Sequence, residues 1–208
     1  MGGAHPDMTA AVHAALSAAA VAAGTVSLVW VHFLPTGHRP VVDAVSDYGV
    51  GSYRAFYRTT VISLGLGALL LFVALAHGTD VPSGGLVWLA VYGVARVAIA
   101  FFPTDLEGET VTTTGRVHLL LAAAAFTAIA FAAADLTSGL RHDPGWSDVR
   151  GLLDALRWAV VVTAIGTGVA RVVQPLRRTV FGLVERLLYA ATIGFLLTMA
   201  VEAVRVLG

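Results

Sequence analysis

Two short strings set an acid, an imidazole and a guanidinium close together along the chain. Phe101-Phe102-Pro103-Thr104-Asp105 closes one apolar stretch, and Gly115-Arg116-Val117-His118 opens the next. A carboxylic acid within reach of an imidazole can pass a proton to a substrate, so Asp105 reads as a general acid with His118 as its partner. The stretch from Pro35 to Arg58, PTGHRPVVDAVSDYGVGSYRAFYR, adds His38, Asp43, Ser46, Asp47 and Tyr48. Asp47 is a second candidate acid, and Ser46 a candidate nucleophile for lipid hydrolysis. Phe101, Phe102 and Tyr48 supply aromatic faces of the kind that stabilise a carbocation, which suits a cyclisation begun by protonation. The same residues have plainer uses. Asp105 fits a turn after Pro103, His118 an interfacial cap, and Ser46 or Asp47 the cap of a short helix.

Arginines inside apolar stretches form the next signal. Arg96 lies seven residues before Pro103, or roughly 10 Å below that helix end at 1.5 Å per residue. Arg171 is placed similarly, and the string GVARV surrounds both, at 93–97 and 168–172. Guanidinium forks bind oxyanions in pairs of hydrogen bonds, so Arg96 and Arg171 read as a clamp for a lipid phosphate or carboxylate. The alternative is that both snorkel or pair with acids for structure. In Gly182-Leu183-Val184-Glu185-Arg186, Glu185 near a helix start complements the dipole and has Arg177 or Arg178 as a partner. Glu202 and Arg205 lie three apart and are expected to pair. No metal or cofactor is assigned. The chain has no cysteine, no HExxH, no GxSxG, no phosphate-cradling glycine loop and no histidine pair at helical spacing.

The elements that must position these residues follow from composition. Of 208 residues, 57% are hydrophobic and 12% charged, and mean hydropathy is +0.81. A soluble domain carries about 25% charged residues, and a soluble fold of this size has too little interior to hide so much apolar surface. Six apolar windows approach the roughly 20 residues needed to cross a bilayer: 9–34, 59–77, 84–102, 117–136, 153–173 and 181–207. The predicted fold is an all-α polytopic transmembrane bundle of about six helices, a single integral membrane domain over residues 1–208. Its long first loop lies on or dips into the membrane interface, anchored by Tyr53, Phe56 and Tyr57. Gly65, Gly67, Gly166 and Gly168 are read as close helix approaches. Met1 to Thr9 hold no Lys or Arg, so the first apolar segment is expected to be retained rather than cleaved.

Six spans put both termini on one side, and the loops after spans one, three and five on the other, here the odd-loop face. That face carries Arg39, Arg54, Arg58, Arg116, Arg177, Arg178 and Arg186, against Arg141, Arg150, Arg157 and Arg205 opposite. The bias places the odd-loop face in the cytoplasm. All 13 basic residues are Arg. With so much Ala, Val and Gly this suggests a bacterial origin and the inner or plasma membrane. Zero net charge gives no reason to expect nucleic acid as a partner. Membrane lipids and an amphipathic or isoprenoid small molecule are the expected partners.

Ser46-Asp47-Tyr48-Gly49, FFPTD at 101–105, the following Gly115 and His118, and GLVER at 182–186 together resemble the domain-of-unknown-function family numbered 998. Its members are bacterial and archaeal membrane proteins with about six spans, and the resemblance runs from about Leu16 to Val206. It implies a multi-pass bundle and brings no activity. Its recurring polar positions correspond here to Asp105, His118, Glu185 and Arg186. The candidate catalytic set is therefore Asp105, His118 and Asp47. The candidate substrate-binding set is Ser46, Tyr48, Arg96, Phe101, Phe102, Arg171, Glu185 and Arg186. The favoured reading is an intramembrane enzyme, cyclising or hydrolysing a lipid or isoprenoid in a pocket at the odd-loop face. The alternative is a lipid or small-molecule transporter, or an accessory subunit. An apolar cavity at the Asp105–His118 end favours the first, a through-going polar path favours transport, and a filled bundle favours the accessory role.

Overall fold

The computed structural model describes residues 8–108 and 110–208; the expectation for Met1 to Asp7 lies outside them. The described chain is helical, with no strand among these residues. The helices are α1 (Met8–Val31), α2 (Arg54–Gly78), α3 (Ser83–Ile99), α4 (Thr113–Leu140), α5 (Arg150–Val172), the short α6 (Gln174–Thr179) and α7 (Phe181–Leu207). Two 3-10 turns, Val45–Gly49 and Pro144–Val149, lie in the loops before α2 and α5. Five helices are long and apolar enough to cross a membrane, and the 17-residue α3 is a shorter apolar helix. The predicted third span continued to Phe102, but α3 ends at Ile99. Ala100, Phe101 and Phe102 instead wind through a tighter turn, their amides bonding to Val97, Ala98 and Ile99 carbonyls. The cause is Pro103, which disfavours α geometry in the residue before it. Pro175, read as the stop of the fifth span, opens α6 near its first turn, where its missing N–H costs nothing.

Neighbour packing runs α1–α2–α3–α4–α5–α7 and back to α1, so six long helices close a ring, with α2 also touching α7. Two crossings depend on small residues. A Cβ on Gly65 would sit 2.7 Å from the Gly93 carbonyl oxygen, and one on Gly93 would sit 3.0 Å from that of Gly65. Ser17 Oγ donates to the Gly67 carbonyl at 2.7 Å, where a Cβ on Gly67 would meet Val21 at 2.5 Å. Gly166 is looser, and a Cβ on Gly168 would meet nothing within 4 Å, so only Gly65 and Gly67 make the expected close approaches. Between lipid-exposed apolar faces there is no hydrophobic gain from association, so such backbone contact is what brings helices together. The outward faces stay apolar: Val29, Leu120, Val162 and Val201 are all more than half exposed.

The end of the bundle opposite the odd-loop face is closed by polar contacts. Arg205 pairs with Glu202 as expected, and its guanidinium also reaches the Gly145 carbonyl. That bond holds the Pro144–Val149 turn, with Trp146 buried inside it. The helix directions place Ser52 at one end of the bundle and Asp148 at the other. Because the chain has no cysteine of its own, Ser52→Cys and Asp148→Cys can each be labelled alone in sealed vesicles. A membrane-impermeant maleimide is expected to reach the two from opposite sides. Labelling of both from one side would refute this topology.

Candidate functional site

The first loop is held by the start of α7. The first amides of a helix have no acceptor within it, and here Gly182 and Leu183 donate to the Val42 and Val41 carbonyls at 3.2 and 2.9 Å. Gly182 permits the approach, since a Cβ there would lie 2.3 Å from the Asp43 carbonyl oxygen. Glu185 Oε2 accepts from the Val45 amide at 2.6 Å. Arg186 spreads its fork across the loop. Nε donates to His32 Nε2 at 2.8 Å, Nη1 to the Asp43 and Gly182 carbonyls at 2.9 Å, and Nη2 to the Tyr48 hydroxyl at 3.0 Å. Its guanidinium also lies over the Tyr48 ring, 5.5 Å from the centroid. Asp47 turns its carboxylate back onto the Ala44 amide at 3.0 Å, and Gly49 packs beneath Tyr57, which would lie 2.7 Å from a Cβ. Ser46-Asp47-Tyr48-Gly49 and Gly182 to Arg186 are thus two halves of one joint.

Asp105 has a different task from the one its neighbours suggested. Its carboxylate accepts from the Thr112 amide at 2.8 Å and the Thr112 hydroxyl at 2.7 Å, and Thr112 Oγ1 accepts in turn from the Gly115 amide at 3.0 Å. The acid therefore buttresses the N-cap of α4. These bonds from Thr112 hold its carboxyl below the usual range, which works against a proton-donating role. His118 Nδ1 bonds to the Phe102 carbonyl at 2.7 Å, not to Asp105, and among the described residues the two form no ion pair. Glu185 likewise takes the loop amide instead of the expected arginine, and Arg177 pairs with Glu107 at 3.2 Å.

Under the loop lies a cavity of about 900 Å³. Loop residues 42–47 cover it, α3, α4, α5 and α7 wall it, and the chain between α3 and α4 forms its rim. Asp43, Ser46, Asp47, Arg96, Asp105, His118, Arg171 and Glu185 all line it, on the odd-loop side. Farther in, the walls are Ala122, Phe126, Ala130 and Ala134 of α4 against Val161 and Ile165 of α5, with Thr127 the polar exception. Arg96 is buried at 1% exposure. Its Nη2 donates to the Tyr189 hydroxyl at 2.6 Å, and its carbon lies 4.7 Å from the Tyr189 ring centroid. Tyr57 and Tyr92 are its other neighbours. In place of the acid that a purely structural pairing would supply, phenols surround it.

Four candidates fall elsewhere. Tyr48 and Arg186 are spent on the loop joint, and Phe101 and Phe102 sit in the turn after α3, with Phe101 69% exposed. The aromatic wall comes instead from Tyr57, Phe126, Phe131 and Tyr189. Tyr57, read as an interfacial anchor, is buried. Tyr189 was signalled only by its spacing, four residues after Glu185 on the same helical face. The two GVARV strings part company, since Arg96 is enclosed while Arg171 is exposed at the cavity mouth. Among the loop acids Asp47 departs furthest from its state in water: burial pushes its carboxyl up to about 6, with the Ala44 amide pulling the other way.

A family model described as Protein of unknown function (DUF998) matches residues 17–202. No curated protein and no solved structure matches the chain.

Two outcomes follow from this geometry. A Cβ on Gly115 would lie 2.0 Å from Asp105 Oδ2, so Gly115→Ala must displace the buttress. It is expected to lose about 1–3 kcal/mol in thermal unfolding, whereas Gly151→Ala, with nothing within 4 Å, should be neutral or better. For Asp47, a raised folded pKa means the native state binds the proton more tightly than the unfolded chain. Its contribution is full below the ordinary aspartate range of about 4 and is lost as pH rises through about 6. Asp47→Asn should flatten the fall in melting temperature across that window; an unchanged slope would show that the carboxyl is not desolvated.

Proposed function

We propose, for a chain that belongs to the DUF998 family, a bacterial plasma-membrane protein that takes up a lipid or isoprenoid-type amphiphile in this cavity. It acts there as an intramembrane enzyme, with Asp47 moving a proton at the ligand's polar end. The observation that carries the reading is the one-ended character of the cavity. Titratable groups line it at the odd-loop side, and the remainder is an apolar slot between α4 and α5. Arg141, Asp148 and Arg205 at the other end are absent from its walls, so it has the shape of a pocket rather than of a polar path across the bundle. Its volume of about 900 Å³ lies at the upper end of the range for small-molecule sites, roughly 300–1,000 Å³.

Asp47 suits the acid role better than Asp105, because a carboxyl with a pKa of about 6 both holds and releases a proton near neutrality. Hydrolysis at Ser46 is less well supported. Among the described residues its hydroxyl bonds to no histidine or acid, and an unactivated serine is a poor nucleophile. Cyclisation through a carbocation is opposed by the positive charge of Arg96 on the same cavity wall.

The test is to fill the slot. Gly168 lines the cavity and has nothing within 4 Å of an added Cβ, so Gly168→Phe grows into open space without straining the helix. Purified protein should carry amphiphiles detectable by mass spectrometry of its extract. Gly168→Phe should reduce them about tenfold, the change expected for losing roughly 1.4 kcal/mol of binding, at unchanged melting temperature. Equal amphiphile content in both proteins would place any bound lipid outside the cavity and end the pocket reading.

A further inference from the structure

We infer that the amphiphile is anionic, with a phosphate or carboxylate head held by Arg96 at the base of the polar end and by Arg116 and Arg171 at its rim. The inference rests on the pocket reading above and assigns the chemistry of its occupant. Its starting point is a buried cation with no carboxylate in ion-pair contact; Glu185 of the same cavity acts on it only through space. Arg96 is 1% exposed, its Nε has no partner, and the groups around it are the neutral phenols of Tyr57, Tyr92 and Tyr189. An intramembrane guanidinium ordinarily finds an acid, a carbonyl or an anion.

The acids in the same cavity are committed elsewhere. Asp43 bonds to the Arg39 amide and guanidinium, Asp47 to the Ala44 amide, and Asp105 to Thr112. Glu107 pairs with Arg177, and Glu185, one turn from Tyr189 on α7, holds the Val45 amide. Among the described residues none forms an ion pair with Arg96, Arg116 or Arg171. The other arginines set into the bundle contrast with Arg96: Arg157 meets Asp154, Arg205 meets Glu202, and Arg186 has four acceptors. Arg116 and Arg171 reach the mouth from α4 and α5, the two helices that wall the slot. An oxyanion bound between them is desolvated against Arg96 and met by guanidinium donors suited to its geometry.

The apolar part fixes the rest of the molecule. From Gly115 to Ala134, α4 lines the cavity along 20 residues, roughly 28 Å from first to last at 1.5 Å per residue.

The probes are hexadecyl phosphate, hexadecanol and inorganic phosphate, offered to delipidated full-length protein in a neutral detergent and counted as adducts by native mass spectrometry. Wild type should retain hexadecyl phosphate over hexadecanol by about tenfold, and inorganic phosphate should not displace it. Arg96→Gln should abolish the preference, Arg96→Lys should restore part of it, and Arg116→Gln with Arg171→Gln should weaken it severalfold. The rim pair is exposed, so that double variant keeps the question answerable if Arg96→Gln does not fold. Equal retention of phosphate and alcohol would overturn the anion assignment while leaving the pocket intact. Retention of neither would overturn both. Displacement by inorganic phosphate alone would show that the head binds without the tail and defeat the assignment of an amphiphile.

Discussion

The joint between Arg186 and the first loop is the constraint from which the rest of the odd-loop end follows. A loop of more than twenty residues between α1 and α2 has a large conformational entropy to lose, and its own 3-10 turn is far too short to fix it. Arg186 supplies four hydrogen bonds from one rigid fork, to α1's end, to the loop backbone, to a loop phenol and to its own helix. Glu185 adds the Val45 amide, and the free amides at the start of α7 take two more loop carbonyls. Once the loop is pinned there, Ala44, Ser46 and Asp47 lie over the gap walled by α3, α4, α5 and α7. The gap then becomes a covered cavity rather than an open cleft.

That arrangement also allocates charge. In a medium of low dielectric, every acid and base must be matched locally or remain costly. The acids around the cavity bond mostly to backbone amides, and of the arginines on the same walls only Arg177 has a carboxylate, Glu107, in ion-pair contact among the described residues. An acid bound to amides keeps its charge but is held out of direct contact with a nearby guanidinium, so one polar end contains both the Asp47 carboxyl and an Arg96 guanidinium that no carboxylate touches.

The helices were legible in the sequence because their signal is additive. Long apolar runs punctuated by Pro35, Pro103 and Pro175 leave little choice of element, and only ends moved: α3 stops at Ile99 ahead of Pro103, while α2 begins at Arg54 and α4 runs from Thr113 to Leu140, beyond the apolar windows. The site was legible as a neighbourhood and not as a set of roles. Asp105 and His118 were correctly placed at one end of the bundle, but adjacency along the chain does not say which donor a carboxylate will take. Thr112, a residue without ionisable chemistry, claimed both oxygens of Asp105. The split between Arg96 and Arg171 was hidden for a related reason. The same five letters occur in both helices, and what differs is the packing against them: Gly93 meets Gly65 at a tight crossing, while Gly168 faces open space. Such differences arise from the partner helix, which a local string does not contain.

The slot between α4 and α5 reaches the outer surface of the ring: Leu119, Phe131 and Ile165 line it and are 45%, 50% and 63% exposed. A molecule entering by that seam never has to leave the hydrocarbon phase. Its supply is then governed by its mole fraction in the bilayer and by lateral diffusion in two dimensions, not by its aqueous solubility. Occupancy would follow the make-up of the surrounding membrane, and a compound too polar to partition into it would meet only the loop-covered mouth.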